Sequence, residues 1–337
     1  MNLKTVRMGL IGAGRMGSFH AENLALRVPG ARLTAVADLQ PGAAQKLADR
    51  LGVEKAYTDI QALLNDSEID AVAIATPART HAELVIAAAR AGKHVFCEKP
   101  MAVTLDEADR AIAAAQDAGV VLQVGFNRRF SAGFAAAIEA VRAGTNGTTQ
   151  LSRSVTRDPG LRDPAPIPQW TIFLETLIHD FDTLLHFNPG SRPVEVYALA
   201  DALVRPDFKD KGLLDTAVVT IRFDNGAIAT AEANFQAVYG YDVRGEVFGS
   251  KGMLQAGNIN QDNCVRYHAE GIAIATSRMD TDLLREAYVA EMAEFARAIL
   301  HGDTPRATGT DARNALEIAL ACIESVQQRK PILLGER

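Results

Sequence analysis

Residues 6–17, Val-Arg-Met-Gly-Leu-Ile-Gly-Ala-Gly-Arg-Met-Gly, constrain this chain more than any other stretch. The apolar run Met8–Ile11 predicts a buried strand, and Ser18–Leu24 can open a helix. Between them Gly12-Ala13-Gly14-Arg15-Met16-Gly17 fits G-x-G-x-x-G. Each glycine has a physical reason to be there. Gly12 allows a tight turn, Gly14 lets a pyrophosphate approach the backbone, and Gly17 lets helix and strand pack closely. The helix N-terminus then offers amide donors and the positive end of its dipole to phosphates. Glycine-rich turns also occur for purely structural reasons. Here a second strand, Leu33–Ala37, ends in an acid, Asp38, which completes the pattern of a dinucleotide site.

From residue 6 to about 125, strand and helix signals alternate. Apolar runs at 6–11, 33–37, 71–75, 93–97 and 120–124 predict parallel strands, and alanine-rich segments at 42–51, 79–91 and 105–118 predict helices. This order argues for a doubly wound sheet with right-handed crossovers. After Phe130 the pattern changes. A helix at 131–143 and a strand at 149–156 precede a proline-rich loop, Asp158–Pro168. Strand-like runs at 193–201, 215–223, 227–235, 242–248 and 252–256 follow without intervening helices, with a hairpin signal at Asp224-Asn225-Gly226. The expectation is an open, mostly antiparallel sheet in an α+β domain, closed by helices at 282–300 and 311–328. The domain boundary is expected at 125/126.

Ligands of open α/β sheets sit outside the carboxyl ends of the strands. Asp38 is placed there to accept bonds from ribose hydroxyls, and a 2′-phosphate would meet its charge; its alternative role is a turn or cap residue. Leu39-Gln40-Pro41 adds no arginine for such a phosphate, so NAD is favoured over NADP. Thr76 and Pro77 end another run, followed by His81, which can equally be a helix-surface histidine. Glu98-Lys99-Pro100 ends a further run, with Lys99 either at the ligand edge or at a solvated strand exit.

In the second half, Phe173–Phe187 predicts a helix with two stripes. Leu174, Leu177, Ile178, Phe181, Leu184 and Leu185 form an apolar one; Glu175, His179, Asp182 and His186 form a polar one. Glu175 and His179 are four apart and can act on one small ligand. His179 can also be a satisfied core histidine. Glu175 and His186 would lie about 16 Å apart along a helix, so one metal ion cannot gather the polar stripe, and no metal is expected. Cys97, Cys264 and Cys322 show no metal or disulfide spacing and suggest a reduced, cytoplasmic protein. No run approaches a membrane span, and Met1–Lys4 leads into the first strand without a signal-peptide pattern. A net charge of −6 gives no general attraction to nucleic acid.

Together these residues resemble the glucose–fructose oxidoreductase and inositol dehydrogenase family (Gfo/Idh/MocA). The markers are Gly12–Gly17, Ala75-Thr76-Pro77 with His81, Glu98-Lys99-Pro100, Gly125–Phe130 and His179-Asp180-Phe181-Asp182. Arg157-Asp158-Pro159, Tyr239–Arg244, Glu246–Gly252 and Arg285–Tyr288 are similar to the inositol dehydrogenase branch. The resemblance implies an N-terminal Rossmann domain with NAD, a cyclitol or sugar substrate, and a homo-oligomer, a tetramer by analogy. It implies that Lys99 is catalytic, with His179 as general base and Glu175 beside it. Asn127, Arg128, Arg157, Asp158, Tyr241 and Tyr288 become candidates for the substrate hydroxyls, although the two arginines can serve ion pairs and the tyrosines packing. The family carries aspartate where Glu175 stands and often a glycine pair where Trp170-Thr171 stands, so substrate identity is where this chain departs. The implied reaction is oxidation of a ring alcohol to a ketone. Relatives that hydrolyse glycosides through transient oxidation, or that only sense dinucleotides or sugars, are the alternatives.

Overall fold

The computed structural model describes residues 5–160, 163 and 165–335, so Met1–Lys4 and part of the expected loop at 158–168 lie outside the described residues. In chain order the first elements are β1 (Val6–Ile11), α1 (Arg15–Leu26), β2 (Ala31–Ala37), α2 (Ala43–Leu51), β3 (Lys55–Tyr57), α3 (Ile60–Leu64), β4 (Ala71–Ile74), α4 (His81–Arg90), β5 (His94–Cys97), α5 (Leu105–Asp117) and β6 (Leu122–Val124). Then come α6 (Ala132–Arg142), β7 (Thr149–Arg157), α7 (Ile178–His186), β8 (Pro193–Asp201), β9 (Thr216–Phe223), β10 (Ile228–Asn234), β11 (Asp242–Gly249) and β12 (Gly252–Ala256). The chain closes with β13 (Asn260–His268), β14 (Gly271–Thr276), α8 (Asp280–Leu283), α9 (Arg285–His301), α10 (Gly309–Gln328) and β15 (Ile332–Leu333).

These elements form two compact units. One holds residues up to Phe130 and then Glu286–Leu316; the other holds Ser131–Arg285 and residues from Glu317 onward. In the first, six parallel strands run β3-β2-β1-β4-β5-β6, with the order reversing between β1 and β4. The strands are short and apolar because both sheet faces are covered. Met8, Leu10, Leu24 and Phe96 share a core with Met292, Phe295 and Ala296 of α9. Local signals set the helix ends. Thr104 and Glu107 form a reciprocal cap at the start of α5, and Gly52 ends α2 in the left-handed region. β3 and α3 are absent from the sequence reading because three and five residues carry no usable period.

In the second unit seven strands run β12-β11-β7-β10-β9-β8-β15. All neighbours are antiparallel except β7 and β10, so the sheet is mixed but mostly antiparallel. The hydroxyls of Ser154 and Thr156 on β7 donate to the buried Asp180 carboxylate of α7, at 2.5 and 2.7 Å. They pin α7 to one face. The alternate residues of β7 therefore point to the other face, where Met253, Phe248, Leu151 and Ile228 form a cross-strand row, each about half exposed. β13 and β14 pair as a separate hairpin, which the polar sequence of β13 conceals.

The expected single helix over 173–187 is not regular. Ile172–Thr176 is a π-turn, with the Leu177 N–H donating to the Ile172 carbonyl at 2.9 Å, before α7 begins. Trp170, leading into it, has φ +63°. The polar stripe is broken as well: Asp182 is buried, while Leu174 and Leu185 are only partly so.

Candidate active site

The carboxyl ends of β1, β2, β4 and β5 lie along one edge of the parallel sheet, and four of the marked segments follow them. Gly12 has φ +100°, and a Cβ there would lie 2.7 Å from the Ala75 carbonyl oxygen. A Cβ on Gly17 would lie 1.8 Å from the Gly12 carbonyl oxygen, so no side chain fits. A Cβ on Gly14 would meet nothing within 4 Å, which leaves that face of the turn open to a ligand. α1 begins at Arg15, with Arg15 exposed and Met16 partly buried. Asp38 links the turn to the strand end: the Ala13 N–H donates to Oδ2 at 2.6 Å, and the Gln40 N–H to Oδ1 at 2.7 Å.

Thr76 Oγ1 is 2.7 Å from Thr80 Oγ1, while Pro77 is exposed. His81 is buried, with Nε2 2.8 Å from the Thr76 carbonyl oxygen and Nδ1 2.8 Å from that of Pro100. It ties the loop after β4 to the loop after β5. Glu98 is buried against His20, whereas Lys99 is partly exposed and joined to Pro100 by a cis peptide. Asn127 and Arg128 are buried in a short turn after β6. Tyr288 is buried too, edge-on to Phe19 and His20 at centroid distances of 5.1 and 5.7 Å.

The remaining candidates belong to the second unit. Glu175 lies in the π-turn and His179 in the first turn of α7, both partly exposed. The i→i+5 bond inserts a residue into the turn that carries Glu175, so its spacing to His179 is not one regular α-turn. The sequence-based premise of a plain α-helical pair is corrected accordingly. Arg157 donates to Glu232 at 2.9 Å and lies 3.7 Å from Asp242, on the sheet face away from α7. Burial pushes the Asp242 carboxyl up, but hydrogen bonds from Arg244 and Tyr239 outweigh it and leave the pKa lowered. The ion-pair role left open for Arg157 is thus realised. Asp158 and Tyr241 are partly buried, and their N–H groups donate to the Asn234 and Ser277 carbonyls at 2.9 and 2.8 Å.

An NAD molecule fits the residues of the first unit. The open face at Gly14 and the first-turn amides of α1 suit a pyrophosphate, and each Asp38 oxygen retains a lone pair for a ribose hydroxyl. Comparison with known proteins agrees with this geometry. The model of an oxidoreductase family with an NAD-binding Rossmann fold, Gfo/Idh/MocA, matches residues 6–126, and that of the family's C-terminal domain matches 134–255. The chain belongs to the Gfo/Idh/MocA oxidoreductase family. It is 38% identical to a myo-inositol 2-dehydrogenase of Thermotoga maritima over 98% of this chain and 99% of that protein. It is 35% identical to a scyllo-inositol 2-dehydrogenase (NAD(+)) of Bacillus subtilis over 98% of this chain and 96% of that one. A solved scyllo-inositol dehydrogenase of Lactobacillus casei, with bound NAD(H) and scyllo-inositol, matches with a TM-score of 0.93 at 28% identity, covering 99% and 100% of the two chains.

Two buried polar residues in this Gfo/Idh/MocA chain escaped the sequence reading. His20 lies in α1 and Glu291 in α9, and both approach Glu98. No local spacing signals them, because their partners are remote in the chain; the His20–Glu98 pair alone spans 78 residues.

Proposed function

We propose that this protein oxidises a ring secondary alcohol of an inositol-type cyclitol to the ketone. The observation that carries the reading is the similarity, along nearly the whole chain, to inositol dehydrogenases, one of them solved with NAD(H) and inositol. NAD supplies the hydride acceptor when bound. The turn Gly12–Gly17, with Asp38, Thr76 and Pro77, holds the dinucleotide, and His81 and Glu98 brace the loops behind it. Lys99 donates a hydrogen bond to the reacting oxygen and stabilises its developing charge. His179 takes the hydroxyl proton, as a histidine is suited to do near neutral pH. Glu175 orients His179 or binds a neighbouring hydroxyl, and Asn127, Arg128, Asp158 and Tyr241 serve the others. Incubation with NAD and a panel of inositols and aldoses, followed at 340 nm, tests the reading. Net NADH release from an inositol is the expected result; glycoside cleavage without it, or no turnover at all, overturns it.

Substrate choice rests on the segment before α7. A left-handed backbone costs a non-glycine residue roughly 1–2 kcal/mol, and Trp170 bears that cost with its indole stacked on Phe173 at 6.5 Å. Trp170→Gly should therefore leave the melting temperature unchanged or raised, while shifting the ranking of kcat/KM among inositols. Glu175→Asp withdraws the carboxylate by one carbon–carbon bond, about 1.5 Å. It should change relative kcat/KM among substrates by about 10- to 100-fold, with NAD affinity unchanged. A wild-type substrate ranking in both variants would remove this segment from the specificity site.

The protein acts in the cytoplasm as a homo-oligomer, a tetramer by family analogy, with no nucleic-acid partner. The apolar row on the uncovered face of the second unit's sheet supports self-association. Among the described residues no helix is long and apolar enough to cross a membrane.

A further inference from the structure

Three ionisable side chains meet in the interior of the first unit. His20 comes from α1, Glu98 follows β5 and Glu291 comes from α9; all are buried, and one ligand-type atom of each lies within 4.8 Å of the others. His20 Nε2 is 2.6 Å from Glu98 Oε1. The Lys99 N–H donates to Glu98 Oε2 at 3.2 Å. The Glu98 carboxylate therefore has one oxygen on α1 and the other on the peptide that carries Lys99. Gly125 leaves it room, since a Cβ there would come within 3.3 Å of Glu98 Cδ and Oε2. Both carboxyl oxygens of Glu291, and Nδ1 of His20, are buried with no hydrogen-bond partner among the described residues.

A buried carboxyl without such a partner does not hold the fold together; an apolar side chain of similar volume would suit the interior better. We propose that Glu291 and His20 are positioning residues for Lys99: His20 holds the Glu98 carboxylate by its hydrogen bond, and Glu291, within 4.8 Å of both, completes the polar surround that fixes that carboxylate and with it the peptide from which the Lys99 side chain departs. This rests on the reading of Lys99 as the residue that touches the reacting oxygen. Two carboxyls this close do not ionise together. Burial, and then the charge of Glu98, holds the Glu291 pKa well above the usual carboxylate value. Burial also pushes Glu98 up, but the His20 hydrogen bond, with the charges of His20, Lys99 and His81, more than reverses this. The proton thus resides on Glu291 and the negative charge on Glu98, where the Lys99 N–H needs an acceptor. A cation among the three would require both carboxylates ionised and His20 drawn away from Glu98. The 2.6 Å approach of Nε2 to Oε1 is instead that of a hydrogen-bonded pair.

The test uses the full-length protein and Glu291→Leu, Glu291→Gln, Lys99→Ala and the Glu291→Leu/Lys99→Ala double variant. Melting temperature, NAD affinity by fluorescence titration, and kcat and KM with an inositol are measured for each. Glu291→Leu should keep the wild-type melting temperature and NAD affinity while lowering kcat about 10- to 100-fold, the expected effect of a small misplacement of a catalytic group. Glu291→Gln, neutral and shaped like the protonated acid, should recover most of that loss. In the Lys99→Ala background, Glu291→Leu should cause no further fall. A wild-type kcat in Glu291→Leu, or an equal further fall in the double variant, overturns the proposal. So does a stoichiometric metal in the wild type that Glu291→Leu removes. If Glu291→Leu does not fold, His20→Leu decides, because it removes the bond from Nε2 to Glu98 Oε1: reduced kcat at unchanged NAD affinity supports the proposal, and wild-type kcat overturns it. A Lys99→Ala enzyme that turns over normally would instead overturn the reading of Lys99 itself.

Discussion

Lys99→Ala should lower the turnover of an inositol by about 10²–10³-fold, the usual cost of removing one donor to a developing oxyanion. The reason for expecting so large an effect without unfolding lies in how Lys99 is held. Its backbone is fixed by the bond to Glu98 and by Pro100, whose carbonyl oxygen lies 2.8 Å from His81 Nδ1. Its side chain is partly exposed, so truncation leaves no void in the core. Melting temperature and NAD affinity should stay near wild type. Steady-state rates at 340 nm, set beside a fluorescence titration with NAD, separate the two effects. Turnover near the wild-type rate would mean that Lys99 does not touch the reacting oxygen.

What made the position of Lys99 legible in sequence was local; its catalytic role is implied by the resemblance alone. A strand of four residues, followed at once by Glu98-Lys99-Pro100, places the lysine at a carboxyl end whatever the rest of the chain does. The glycine turn was legible for the same reason, and its roles at Gly12 and Gly17 are the contacts found. Long periodic helices such as α5 and α10 were also readable, because a repeat of 3.6 over many residues has few alternatives. The parallel pairing of β7 with β10 was not, since strand direction is set by the connection between them and not by either strand's residues.

The segment before α7 shows where periodicity fails for a different reason. Apolar spacing predicts a regular helix through Phe173–Phe187, but a π-turn shifts the register at Glu175, and Asp182, within α7, is buried. One inserted residue rotates everything before it relative to everything after it, and no residue type marks the insertion. Trp170 is the nearest thing to a signal: its backbone is in the left-handed region that favours glycine. His20 and Glu291 were hidden by sequence distance alone, each lying on a helix whose other residues account for its apolar face.

The second large effect concerns the cofactor. Wild-type enzyme should prefer NAD to NADP by at least about 10²-fold in kcat/KM. The Asp38 carboxylate is fixed by the N–H groups of Ala13 and Gln40, so it cannot turn away from a 2′-phosphate. Two unit charges about 4 Å apart cost roughly 4 kcal/mol at an effective dielectric near 20, and partial exposure of Asp38 lessens this. About 2.8 kcal/mol already corresponds to a hundredfold preference. Asp38→Ser removes the charge and keeps a hydroxyl for the Ala13 N–H. Leu39 is 70% exposed, so Leu39→Arg adds a phosphate partner without disturbing the core. The double variant should bring the two cofactors within about tenfold of each other, chiefly through a lower KM for NADP. Because the carboxylate also braces the glycine turn, NAD affinity should fall in the same variant. The measurement is kcat/KM for both cofactors at two ionic strengths, since salt screens the repulsion and should narrow the wild-type preference. A wild type that favours NADP, or a double variant with unchanged preference, would show that Asp38 does not face the ribose.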